Sequence, residues 1–235
     1  MLVLAIDTSA IASAALLRAH GAAGPAEVLE SFASEETNTH AEVLAPAIEG
    51  ILAQAGVAGR DLDRIVVGVG PGPFTGLRVG IATARTLGFA WGVPVDGAMS
   101  LDAVAWDVLA GTDSAGVPDG GFTVAIDARR KELYWARYLP DGTLAEGPHV
   151  SAAEGLPPVP VYGTGAGLYA ERLAAVGAYG VPAFASRHPN AASLGAFALA
   201  SLARGREPLS TAPLYLRESD AKVPAAMNRP SGFGK

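Results

Sequence analysis

The sequence contains no cysteine, which removes disulfides, thiolate nucleophiles and cysteine-ligated zinc sites together. Its four histidines, His20, His40, His149 and His188, are scattered without metal-ligand spacing. No apolar run approaches the ~20 residues of a membrane-spanning helix, although 50% of the 235 residues are hydrophobic and the mean hydropathy is +0.29. There is no surplus of positive charge. The net charge of −6 argues against broad, autonomous nucleic-acid binding. A G-x-S-x-G nucleophile elbow is missing too, and so is any clustered general acid–base pair. Leu2 opens a strand with no basic leader or cleavage site before it, so a cytoplasmic protein is expected. The length fits one large domain or two small lobes.

What the chain does have is a distinctive stretch from Arg64 to Val95. Ile65–Val69 is a β-branched run that predicts a buried strand. Gly70-Pro71-Gly72-Pro73 cannot continue it, because prolines lack N–H donors and glycines favour turns. Thr75 is the expected N-cap of a helix over 76–91, which Gly92 ends. The loop at the head of this helix invites a phosphate cradle, but no lysine follows it, and the local pattern favours a rigid connector that sets the angle between strand and helix. On the helix, Gly80, Ala84 and Gly88 share one stripe, flanked by Leu77, Ile81, Leu87 and Trp91, and Arg78 and Arg85 are its only charges. A helix apolar nearly all round is covered on more than one face. Its cover is expected from a second layer of the same chain or from another subunit.

In chain order, Leu2–Asp7, Ala12–Leu17 and Glu27–Ala33 predict three opening strands, with Asp7-Thr8-Ser9 at the first turn. There Asp7 fits a carboxylate holding hydrated Mg²⁺ beside a phosphate, and it fits a turn cap as well. Thr37-Asn38-Thr39 caps an expected helix over 40–55, with Leu44 and Ile48 on its apolar stripe and Pro46 predicting a kink. Ser100–Leu109 is a further helix, capped by Ser100, and the Gly- and Asp-rich 111–121 marks a boundary between lobes. A second strand set then opens with Phe122–Asp127, Leu133–Leu139 and Leu144–Val150. The dense charge cluster 127–132 reads as a solvated hairpin tip that matters little for folding, or else as a contact for an anionic partner. Helices are expected over 165–176 and from Asn190 or Ser193 to Arg204, and 218–235 is read as a disordered tail. Both halves start with antiparallel strands and then add helices, which suggests a duplicated fold.

G-P-G-P-F-T-G-L-R-V-G-I-A-T-A-R-T-L-G-F-A, with I-D-T-S at the start and I-D-A-R-R-K-E-L-Y-W-A in the second half, closely resembles the bacterial TsaB (YeaZ) family. T-H-A-E-V-L-A-P-A-I, M-S-L-D-A-V-A and P-L-Y-L-R also match, so the resemblance spans Leu2 to Arg217. It implies an α/β protein of two-lobed actin/Hsp70/sugar-kinase type, each lobe a mixed sheet flanked by helices, with lobes at 1–110 and 111–217. It also implies an accessory subunit of the machinery that adds threonylcarbamoyl to adenosine in tRNAs reading ANN codons. The partners implied are a TsaD-type catalytic subunit and a TsaE-type ATPase, with ATP and a metal ion on those partners, tRNA as substrate of the complex, and a homodimer when the chain is alone. TsaD-type proteins carry two metal-binding histidines four apart on a helix that here presents Ser100 and Val104. Their Gly-Gly phosphate hairpin is replaced by Asp127-Ala128-Arg129-Arg130. The expectation is a scaffold without catalytic residues of its own. Its partner-binding surface is expected on the 40–55 and 76–91 helices, at Leu44, Ile48, Leu77, Gly80, Ile81, Ala84, Arg85 and Gly88, with a vestigial or shared nucleotide site at Asp7, Thr8 and Ser9. The rivals are a nucleotide-dependent phosphotransferase, using Asp7 and the Gly163-Thr164-Gly165 turn, and a glycopeptidase-like protease.

Overall fold

Two five-stranded sheets of identical topology organise the molecule. The computed structural model describes residues 1–20, 26–34, 40–111 and 116–217. The expected Thr37–Thr39 cap, part of the interlobe linker and the 218–235 tail lie outside the described residues.

The first sheet contains β1 (Leu2–Asp7), β2 (Ser13–Ala19), β3 (Ala26–Ala33), β4 (Arg64–Gly68) and β5 (Val95–Ala98), in the order β3-β2-β1-β4-β5. β1 runs antiparallel to β2, with Ala5 opposite Ala15, and parallel to β4, with Leu4 opposite Ile65. Both faces of this sheet are covered, which explains strands that are apolar without alternation. Leu4, Ile6, Leu16, Ile65 and Val67 face α1 (His40–Ala55) and α2 (Phe74–Trp91). Val3, Ala5, Ala15 and Leu17 face the opposite way, onto α6 (Ala191–Ala203).

The second sheet repeats the plan. β6 (Phe122–Asp127), β7 (Leu133–Tyr138), β8 (Leu144–Ser151), β9 (Pro160–Tyr162) and β10 (Tyr179–Gly180) follow the order β10-β9-β6-β7-β8. One face packs on α4 (Thr164–Leu168) and α5 (Ala170–Ala175) through Ala166 and Leu173. The other packs on α3 (Leu101–Leu109) through Leu101, Val104 and Val108. The duplication expected from the strand pattern is therefore present in the topology.

The helices do not follow the boundary expected at 110/111. α3, which the chain supplies before that boundary, packs on the second sheet, and α6, supplied after it, packs on the first. Close approach requires Gly195, where a Cβ would press on Leu17 and Ala5. After α6 the chain returns along the first lobe as a strap over 208–217. Leu209 exchanges both backbone hydrogen bonds with Gly97 on the β5 edge (2.8 and 3.0 Å), and Leu214 N–H donates to Val69 O (2.7 Å). Arg217 then reaches the second lobe, where Nη1 donates to Ala128 O at 2.9 Å.

Local signals failed at three points. Helix α2 begins at Phe74 with Pro73 at its N-cap, so Thr75 lies inside the first turn and caps nothing. Ser100 precedes α3 but makes no side-chain capping bond, because its hydroxyl is drawn elsewhere. The helix expected over 165–176 is broken at Tyr169 (φ −131°) into α4 and α5. Asn190 does cap α6, its side chain accepting from Ser193 N–H.

Candidate functional site

The first-lobe turn brings Asp7, Thr8 and Ser9 together and buries all three. Asp7 Oδ1 accepts from the Ser9 N–H (2.9 Å) and the Ser9 hydroxyl (2.7 Å), and Oδ2 accepts from the Ser100 hydroxyl at 2.6 Å. Thr8 Oγ1 donates to Gly76 O at 2.8 Å. The glycines around them are there for closeness. A Cβ at Gly68 would overlap Asp7 Oδ2, and one at Gly76 or Gly80 would overlap Thr8. These glycine and acid positions thus form a packed joint between β1, β4 and α2. Neither Asp7 oxygen points at open space for a hydrated cation. Ser100 and Val104 are fully buried, the first engaged by Asp7 and the second in the core with no donor atom, so this helix does not fit a metal.

Between the lobes lies a cleft of about 860 Å³, reached by Ser9, Thr75, Asp127, Arg129, Thr164 and His188. Ser9 is the member of the Asp7-Thr8-Ser9 turn that lines it. The Gly163-Thr164-Gly165 turn heads α4, a helix of 5 residues.

Of the eight residues expected to face a partner, seven are buried within the chain itself. Leu44, Ile48, Leu77, Gly80, Ile81, Ala84 and Gly88 all pack inward. The Gly80–Ala84–Gly88 stripe is not an outer groove. It lets α2 sit down on its own sheet, with Gly80 against Thr8 and Gly88 against Val93 and Val95. The stripe therefore packs on the first sheet, not on the 100–109 helix or on another chain. Arg85 is exposed, but its guanidinium is tied to the strap, donating to Thr211 Oγ1 and Thr211 O at 2.9 Å each. Arg78 acts alike, donating to Tyr215 Oη (2.9 Å) and lying 5.7 Å from the Phe74 and Tyr215 ring centres.

What these two helices leave outside differs from the expected set. Phe89 on α2 is 92% exposed, the most exposed large apolar side chain among the described residues. Ala82, Thr86 and Ala90 share the outer face of α2 with it. Between α1 and α2 runs a groove of about 500 Å³ walled by Ala45, Glu49, Ala53, Leu87 and Trp91. Phe89 lies on the side of α2 opposite the glycine stripe.

The model of the tRNA N6-adenosine threonylcarbamoyltransferase (TsaD) family matches residues 27–222. The solved structure of YeaZ from Pseudomonas aeruginosa superposes with a TM-score of 0.72 and 32% identity, over 92% of this chain and 99% of that one. The chain belongs to the TsaB/YeaZ family. An uncharacterised protein of Mycobacterium tuberculosis is 39% identical over 94% of this chain and 93% of its own length. The Bacillus subtilis tRNA threonylcarbamoyladenosine biosynthesis protein TsaB is 32% identical over 59% of this chain and 55% of its own length. The TsaB/YeaZ family membership and the two repeated sheets agree with the two-lobed actin/Hsp70/sugar-kinase architecture. No described helix is long and apolar enough to cross a membrane.

Proposed function

We propose that this chain is a non-catalytic scaffold subunit in tRNA threonylcarbamoyladenosine biosynthesis, docking the outer face of α1 and α2 on a TsaD-type catalytic subunit. The observation that carries the reading is Phe89, held almost wholly in water on a well-packed helix. Burying such a ring contributes about 2–3 kcal/mol to association, and aromatic anchors of this kind dominate interface energetics. The closed Asp7–Ser9–Ser100 joint supports the scaffold half of the reading, since the residues best placed for phosphate or metal chemistry hold the lobe together instead. On this reading ATP and a metal ion belong to the partners, a TsaD-type subunit and a TsaE-type ATPase. In their absence the same face pairs two copies of the chain.

Phe89→Glu tests it. The variant is expected to fold with stability within about ±0.5 kcal/mol of the parent, as for other exposed positions. It should no longer co-purify with a TsaD-type subunit or support tRNA modification, read by complex mass and by assay of the modified nucleoside. Ala84→Arg provides the contrast, because it places an unpaired charge in the core and should not fold. Normal complex formation by Phe89→Glu would move the interface elsewhere. ATP turnover that scales with the purified chain would favour the phosphotransferase reading.

A further inference from the structure

The β6–β7 hairpin tip holds three consecutive residues in the left-handed region, Arg129 (φ 62°), Arg130 (φ 55°) and Lys131 (φ 62°). Among the described residues, every other positive φ belongs to a glycine. Side chains disfavour this region because Cβ crowds the following carbonyl. A sequence with 29 glycines has used none here. It has instead placed three like charges side by side, all exposed. Both the strain and the repulsion favour other residues at these positions, and such strained positions cluster at functional sites.

The conformation is held from both shoulders. On one side Arg217 donates to Ala128 O and pairs with Glu132. On the other, Arg172 Nη1 donates to Lys131 O (3.3 Å) while its Nε and Nη2 grip Glu154 at 2.6 and 2.5 Å. Arg129 N–H donates to Asp127 Oδ1 at 2.8 Å, and its guanidinium lies 3.4 Å from Oδ2. Five cationic side chains thus surround one turn against three carboxylates, a local positive surplus in a chain of net charge −6. Arg129 and Asp127 stand at the wall of the interlobe cleft.

We propose that this tip contacts the phosphate backbone of RNA, which under the function proposed above is the tRNA substrate. Guanidiniums match phosphate oxygens, which they bind through paired donors, and the tip presents two of them and an ammonium in water on a turn whose backbone is held from both shoulders. An acidic protein partner fits less well. Protein interfaces enrich arginine but deplete lysine, and surround their hot spots with apolar and aromatic contacts; the tip offers no such surround, since Ala128 is buried and 129–131 are all cations. Backbone contacts to nucleic acid need only the cations. The low overall charge fits a subunit that positions RNA within a complex and does not capture it alone.

The test substitutes Arg129→Gly, Arg130→Gly and Lys131→Gly together, which removes charge and strain at once. Binding of an unmodified tRNA transcript is measured by fluorescence anisotropy against salt, for the chain alone and with a TsaD-type subunit. The expected result is a raised Tm, a loss of tRNA affinity of about tenfold or more at low salt, and a log–log salt slope smaller by about 2–3. A second variant, Arg129→Lys with Arg130→Lys, keeps the charge and should keep the salt slope. Unchanged affinity in the glycine variant, or no RNA binding by the parent in either form, overturns the proposal. Loss of association with the TsaD-type subunit at unchanged RNA affinity overturns it in favour of a protein contact. Tip-dependent binding that ATP abolishes overturns it in favour of a nucleotide phosphate site. RNA binding is read without reference to modification. A chain that binds RNA through the tip yet fails to support modification defeats only the scaffold reading, and the converse defeats only this one.

Discussion

At the scale of single residues, burial outweighs every opposing interaction in setting the chemistry of Asp102. It lies on α3 at the wall of an apolar pocket of about 310 Å³ behind the lobes, and Tyr138 Oη donates to its Oδ1 at 2.8 Å. Burial pushes its pKa from 3.8 up to about 7, against the opposing pull of the Tyr138 hydrogen bond, the Met99 backbone and Arg206. Burial, reinforced by Asp102, raises the Tyr138 hydroxyl in turn. Because the folded value lies above the unfolded one, the native chain keeps a proton that the unfolded chain releases between about pH 4 and 7. Stability must therefore fall as pH rises through that window, with the full penalty standing above pH 7. Asp102→Asn removes the titration and still accepts from Tyr138. It is expected to match the parent near pH 4 and to exceed it by about 2 kcal/mol at pH 8, after discounting for partial exposure. Denaturant midpoints at the two pH values check this; an equal gap at both would show that folding leaves the Asp102 pKa unshifted.

At the scale of elements, α2 does three things with three faces. Its glycine face seats it on β1 and β5, its arginine side holds the strap, and its outer face carries Phe89. Arg78→Ala would lose the Tyr215 hydrogen bond and the stacking between two rings. The expected loss of stability is below about 1 kcal/mol, since the site is exposed, while limited proteolysis within 208–217 should quicken; a strap cut no faster than in the parent would mean that Leu209 and Leu214 hold it unaided. Strands and long helices were legible because their period and length are set locally, as in Leu2–Asp7 and the 74–91 helix. The roles of α2's faces were not. Small residues four apart permit close approach to any neighbour, and nothing local says whether that neighbour is a partner's helix or the chain's own sheet. Ser100 shows the same limit from the polar side. Its place before a helix predicts a cap, yet Asp7, 93 positions away in sequence, takes its hydroxyl.

At the scale of the whole molecule, two copies of one strand plan are interlocked by exchanging helices and by a strap that closes over the seam. The order in which a ribosome delivers these parts gives the strap a further consequence. The free edge of β5 at Gly97 is covered by Leu209, about 110 positions later in the chain. At about 5–20 residues per second, that edge waits roughly 6–20 s for its cover. For most of that interval the nascent first lobe also lacks α6, so one face of its sheet is bare as well. Open strand edges and bare apolar faces recruit neighbouring chains. The newly made protein thus passes through a stage in which its best available partner is another unfinished copy, and the arrival of α6 and the strap ends it.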